Sequence, residues 1–398
     1  MSSWVPGAAG SGYDVDHLPY GVFAGVGDTA RVGVRIGEFV LDLAPLGAMQ
    51  QMRSAGLFRA DTLNPFLAAG ASGWHRTRDW VSDLLSQPQH RDLVEPFLLP
   101  LDEVSLRLPV SVGDYVDFYS SEHHAINVGR IFRPDADPLH ANWRRLPVGY
   151  HGRSGSIVVT GTDVRRPRGQ RQEGGDVVFE ATSRLDLEAE LGFVVGGGAT
   201  HAPVDGAALG ERVLGVLVLN DWSARDIQAY ESVPLGPFLG KSFATSVGAW
   251  VTPLAALEAA RVALPEQQPV PASYLRVKEP AGYDIDLEVW VNDTLVATPP
   301  YATSYWSPAQ LLAHLTVNGA SLRPGDLFAT GTVSGPQRDQ RGSLLELSWG
   351  GTEPFALADG SRRTYLADGD VVTLAASAPG NSGGRIRLGE VSGRIVPA

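Results

Sequence analysis

The sequence predicts a mostly β protein of the α+β class. It divides into a small N-terminal unit, residues 1–110, and a larger C-terminal unit, residues 111–398. Three observations lead there. The chain carries 46 Gly and 28 Pro without a collagen-like period, which favours many short strands joined by tight turns. From about residue 113 onward the apolar residues fall mostly in runs of strand length. The prolines at 100 and 109 suit a boundary between two units, and 398 residues suffice for two domains with a sizeable core.

In chain order, Gly21–Ala24 and Ala30–Ile36 read as short strands around the turn Gly27-Asp28. Segments 48–60 and 74–87 have apolar residues three to four apart and read as helices. Further strands are expected at 156–160, 176–180, 185–195, 213–219, 285–291, 344–349 and 371–374. A helix is expected over 307–315, where Ser307 can cap and Pro308 takes the first helical position. No internal repeat or heptad is present.

Composition narrows the function. The chain is 43% hydrophobic and 19% charged, a globular profile. The absence of cysteine excludes disulfides, thiolate metal sites and a cysteine nucleophile. A formal net charge of -12 argues against nucleic acid as a partner. The first 30 residues hold no Lys or Arg, so a positively charged signal region is missing, and no apolar run is long enough for a bilayer. The expectation is a soluble cytoplasmic protein with no membrane partner.

The chemistry concentrates in a few segments. Of 32 basic residues only Lys241 and Lys278 are lysines, and Lys241 lies just after the acidic and polar run Asn220–Gln228. A compact ammonium kept where the chain otherwise uses arginine suggests a site that the planar guanidinium would not fit. In Asp186–Leu191, period-two alternation puts Asp186, Glu188 and Glu190 on one face, either a solvated face or part of a site. Asp221 follows an apolar strand, and Asp117 lies between aromatics with Asp114 as its rival. Such acids converging at buried strand ends would need a cation, and oxygen ligands without His or Cys suit calcium or magnesium. His123-His124 reads as exposed loop or as a source of a general base. Arg130, Arg133, Tyr150, His151 and Arg153 form a basic, aromatic stretch in which Arg133 suits a substrate carboxylate. Glu346, a lone acid in an apolar segment, wants a partner that a catalytic histidine would supply.

Five segments together resemble the fumarylacetoacetase family: Asp114–Arg133, Asn142–Ile157, Asp186–Leu191, Asn220–Phe243 and Gly331–Trp349. The resemblance implies an N-terminal SH3-like barrel, a C-terminal mixed β-roll and a homodimer. It implies metal ligation by Asp117, Glu188, Glu190 and Asp221, with Lys241 and Thr245 at magnesium-associated positions beside Asp221. It further implies His124 as general base oriented by Glu346, with Arg225, Gln228 and Lys241 around the oxyanion. Tyr119, Arg133, Gln228 and Thr332 match substrate contacts, and Tyr150 joins that set. Ser232 departs from the family, which has a tyrosine there, although Tyr230 lies two residues earlier. The activity implied is hydrolysis of the carbon–carbon bond of 4-fumarylacetoacetate, in tyrosine breakdown. By formal count, four metal acids, Lys241, Arg225 and one divalent cation sum to about zero. The alternatives are a related dicarbonyl enzyme, such as an acylpyruvate hydrolase or decarboxylase, and a non-catalytic calcium-binding β module.

Overall fold

A computed structural model describes residues 2–52 and 54–398 of the chain. A thirteen-stranded sheet is its backbone. Its main path starts in the N-terminal unit with Leu98–Pro100, Phe39–Asp42, Arg31–Ile36 and Tyr20–Ala24. It continues without a break into Trp250–Pro253, Val213–Asp221, Ala189–Val195, Leu327–Ala329, Tyr115–Phe118 and Gly149–His151. Val213–Asp221 and Ala189–Val195 are buried along their whole length, as strands covered on both faces must be. A second, five-stranded sheet built around Val371–Pro379 and Arg385–Val396 packs against Val213–Asp221.

The mostly β expectation holds. Among the described residues, however, the N-terminal strands form an open run and no closed barrel. Tyr20 and Gly21 pair directly with Val251 and Trp250 of the C-terminal unit. One apolar cluster likewise spans both units, joining Val22, Phe66 and Trp74 to Val194, Leu217 and Val251. Burying one sheet edge against another removes an exposed edge without closing a barrel.

Several elements differ from their sequence patterns. Segment 48–60 is not one helix: a helix over Leu43–Met49 ends, and a 3₁₀ turn follows at Ala55–Arg59. Gln51 adopts φ 54°, which interrupts helical geometry; position 53 lies outside the described residues. Segment 74–87 falls within the helix Gly70–Ser86 but for its last residue. Segment 344–349 is a helical turn over Leu344–Leu347, not a strand. Short apolar runs carry no period long enough to separate the two, and here Ser343 caps a turn. The run 185–195 breaks at Leu187-Glu188 into Leu185–Asp186 and Ala189–Val195. The helix at 308–316 has the predicted cap: Ser307 Oγ accepts from Gln310 N, and Gln310 Oε1 accepts from Ser307 N at 3.0 Å.

His17 ties the two units together. It is buried, with Nδ1 3.0 Å from Gly12 O and Nε2 2.9 Å from Thr252 Oγ1. Burial pulls its pKa down to about 3 from an ordinary 6.5. Between those values only the unfolded chain takes the proton, so stability falls as pH falls through that window. The melting temperature should drop between pH 7 and pH 5, and less steeply in His17→Gln. Parallel losses in both proteins would remove His17 from the account.

Candidate active site

The acids come together because three strands of one sheet have ends at the same place, with Leu327–Ala329 lying between two of them. Tyr115–Phe118 carries Asp117, Ala189–Val195 carries Glu190, and Val213–Asp221 ends on Asp221. Carboxylate oxygens of these three buried residues lie within 4.8 Å of one another. Glu188 enters from the break in its strand, where its carbonyl accepts from Asp221 N. Thr245 pairs opposite Asp221 and donates its hydroxyl to Asp221 Oδ1 at 2.9 Å.

Three buried cations meet these acids. Lys241 Nζ donates to Glu188 and, at 2.6 Å, to Asp221 Oδ2. Arg225 Nε donates to Asp186 Oδ2 at 2.8 Å, and its Nη2 lies 2.8 Å from Glu188 Oε1. Arg153 Nη2 donates to Asp117 Oδ2 at 2.7 Å and to Asp221 Oδ2 at 2.8 Å. Burial alone would discharge Lys241, but Asp221 and Glu188 reverse this and raise its pKa, so it remains an ammonium at neutral pH. Burial likewise pushes Glu188 up, and Lys241 and Arg225 more than cancel it, leaving its pKa low.

The charge count changes with this geometry. Asp186 and Arg153 belong to the cluster, so five acids face three cations, a formal balance of -2. One divalent cation closes it. Both Glu190 oxygens and Asp117 Oδ1 are buried without a hydrogen-bond partner. Burial, then the neighbouring carboxylates, push Glu190 well up; burial is also the main force raising Asp117 to about 6. Buried, unpartnered oxygens of hard anionic type fit a metal ion; the oxygens of Asp117, Glu190 and Asp221 converge on one point, and Glu188 stands beside them, sharing Lys241 with Asp221.

A second constellation lies beside the acids. Ser121 caps the helix Glu122–Phe132 by accepting from His124 N at 3.3 Å, which fixes His124 in the first turn. His124 Nδ1 lies 2.7 Å from Glu346 Oε2. Glu346 also accepts from Asn127 Nδ2 at 2.9 Å, Ser334 Oγ at 2.9 Å and Ser343 Oγ at 2.8 Å. Burial would raise its pKa, but His124 and these donors lower it, so it stays an anion. That anion assigns the proton of His124 to Nδ1 and leaves Nε2 as an acceptor. Asp186 connects the two constellations: it holds Arg225 on one side and accepts from Leu344 N and Leu345 N on the other, steadying the turn that bears Glu346.

A cavity of about 250 Å³ faces both groups, lined by His124, Glu188, Glu190, Arg225, Gln228 and Lys241 among others. Tyr119, Tyr150 and Thr332 also line it, and Thr332 Oγ1 is buried without a partner. Gly331 brings this loop close: its φ is 72°, and a Cβ there would lie 2.1 Å from Phe118 O. Gln228 Oε1 accepts from Arg225 Nη1 at 3.2 Å, which leaves its amide nitrogen as a donor. His123 lies outside the cavity lining and is half-buried. Arg133 lines an adjoining cavity of about 230 Å³ instead, bonded to Pro138 O at 2.8 Å and to His140. Tyr119, Val128 and Phe132 border both spaces. Neither Ser232, whose hydroxyl donates to Gln228 O, nor exposed Tyr230 lines the main cavity. Sequence reasoning missed Arg153 and Asp186 as members of the charge cluster, and Asn127, Ser334 and Ser343 as supports of Glu346. The signals available were the shared face of Asp186 with Glu188 and Glu190, and Gly152-Arg153 after Tyr150, a turn signature in a polar stretch.

The fold and this combination of acids, buried cations and a histidine–carboxylate pair define a hydrolase-type site of one family. The Fumarylacetoacetate (FAA) hydrolase C-terminal profile matches residues 115–396, and the Fumarylacetoacetase N-terminal profile matches residues 16–109. The chain belongs to the fumarylacetoacetate hydrolase family. Among its relatives, the fumarylacetoacetase of Oryza sativa subsp. japonica is 42% identical over 100% of this chain and 98% of its own. That of Homo sapiens is 41% identical over 100% of this chain and 99% of its own. Among solved structures, a fumarylacetoacetate hydrolase from Exiguobacterium antarcticum shares the fold at a TM-score of 0.57 and 18% identity, covering 96% of this chain and 100% of that one.

Proposed function

We propose that this chain hydrolyses the carbon–carbon bond of 4-fumarylacetoacetate, giving fumarate and acetoacetate, the last step of tyrosine breakdown. The observation that carries the reading is the His124–Glu346 pair facing a buried acid cluster across one small cavity. A non-catalytic calcium module would need the acids but not that pair. Full-length likeness to fumarylacetoacetases supports the substrate.

In this reading His124 Nε2 takes a proton from water as its oxygen attacks the carbonyl next to the fumaryl group. Glu346 stabilises the imidazolium that results. Arg225, Gln228 and Lys241 donate to the oxygen that becomes negative. Lys241 has three N–H groups, two of them held by Glu188 and Asp221, so one is left for the cavity it lines. The bond to the acetoacetate carbon then breaks, its electron pair leaves with that fragment, and the carbon is protonated. Tyr119, Tyr150 and Thr332 hold the diketo acid, and Arg133 receives a carboxylate from the adjoining cavity. Asp117, Glu188, Glu190 and Asp221 would hold calcium or magnesium, with Lys241 and Thr245 fixing Asp221. When bound, the cation supplies Lewis-acid polarisation of the dicarbonyl oxygens.

The reading includes a division into units at residues 110 and 111, supported by the two matched regions. It includes a homodimer, supported by an exposed apolar run beside the cavity, with Leu235 97% and Phe238 70% exposed. No helix among the described residues is long and apolar enough to cross a membrane, in keeping with a cytoplasmic enzyme.

The direct test follows diketone absorbance with fumarylacetoacetate before and after chelation. Loss of absorbance should stop on chelation and resume when calcium or magnesium is returned. Turnover of acylpyruvate with none of fumarylacetoacetate would overturn the substrate, and unchanged turnover in metal-depleted protein would overturn the cation's role.

A further inference from the structure

Arg153 is the member of the cluster that the proposed chemistry leaves without a task. The structure holds it firmly. It follows Gly152 at φ 134° and itself has φ 59°, a left-handed conformation that costs a non-glycine residue energy. Gly152 N donates to Tyr115 O at 3.0 Å and pins the turn. The guanidinium carbon lies 4.8 Å from the ring centre of Tyr115 and 4.7 Å from that of Tyr150. The side chain is 4% exposed. Such a setting fixes a positive charge at one point.

That charge is spent on two acids of the candidate cation site. One nitrogen, Nη2, bridges Asp117 Oδ2 and Asp221 Oδ2. The contact uses one oxygen of Asp117 and leaves Oδ1 unpartnered, beside the two bare oxygens of Glu190. Without Arg153 the formal balance would be -3 rather than -2.

We propose that Arg153 is the internal counter-cation of this site. It neutralises one unit of charge, holds Asp117 with its second oxygen free, and so matches the remaining charge to one divalent ion. The inference rests on the cation reading above. It makes Arg153 a positioning residue, since it reaches substrate only through the acids. Removing its charge leaves the acids more repulsive when no cation is present and more attractive to one when it is.

The test measures thermal unfolding and calcium affinity of the full chain, chelator-treated and then titrated with calcium. Arg153→Met should melt lower than the wild type without calcium, gain more on calcium addition, and bind it about ten-fold tighter, a small share of the Coulomb interaction lost. Arg153→Lys keeps the charge without the fork. It should melt lower too, yet show the wild-type calcium gain. If Arg153→Met is recovered folded only with calcium present, that is the same result in extreme form. A calcium gain in Arg153→Met equal to or below the wild-type gain, or a changed gain in Arg153→Lys, would reduce Arg153 to a packing role. A wild-type chain that responds to neither calcium nor magnesium would instead refute the cation site itself.

Discussion

Replacing His124 with alanine is expected to lower turnover of the diketo acid by roughly two to four orders of magnitude, the range for loss of a general base. The side chain is buried, faces the cavity and is oriented by Glu346, which leaves Nε2 as the acceptor the proposed proton transfer uses. Substrate binding should change far less, because the imidazole is needed most once the water proton begins to move. Its neighbour provides the control. His123 is half-buried and outside the cavity lining, so His123→Ala should be mild. Steady-state kinetics of the two variants decide the matter, and equal losses at both positions would sink the assignment.

The second large effect is expected at Lys241. Its ammonium sits buried on Glu188 and Asp221 at the cavity wall. Lys241→Met should cost about 3–4 kcal/mol of transition-state stabilisation, roughly a hundred- to a thousand-fold in turnover. Lys241→Arg should be nearly as poor. It keeps the charge, but a longer planar fork does not fill the buried point that the compact ammonium occupies. Lys278 is exposed, and Lys278→Arg should be silent. Melting temperatures measured alongside separate lost chemistry from lost folding, since either Lys241 change disturbs a buried ion pair. Near-full turnover in Lys241→Arg would remove lysine's special role.

The chain by itself determined the mostly β character, the capped helix after Ser307, and which segments hold chemistry. Those are local properties: turn residues, period-two runs and rare residue types record the backbone they are built for. Glu188 and Glu190 were legible as acids alternating with apolar residues, and Lys241 as one of two lysines; what joined them to Arg225 as a group was the likeness to the family. Choosing His124 over His123 came from likeness to relatives, since spacing alone left both open; the fold then put only His124 against Glu346. Other outcomes needed the tertiary structure. Segment 344–349 is too short for its apolar pattern to tell strand from helical turn, and the amides that Asp186 caps come from a segment more than 150 residues away. The N-terminal strands join the large sheet instead of closing, because an open edge gains more by pairing across the boundary. Arg153 is separated from Asp117 by 36 residues and from Asp221 by 68. Its charge balances theirs only because three strand ends and one left-handed turn meet at a single buried point, a coincidence of packing that no local pattern encodes.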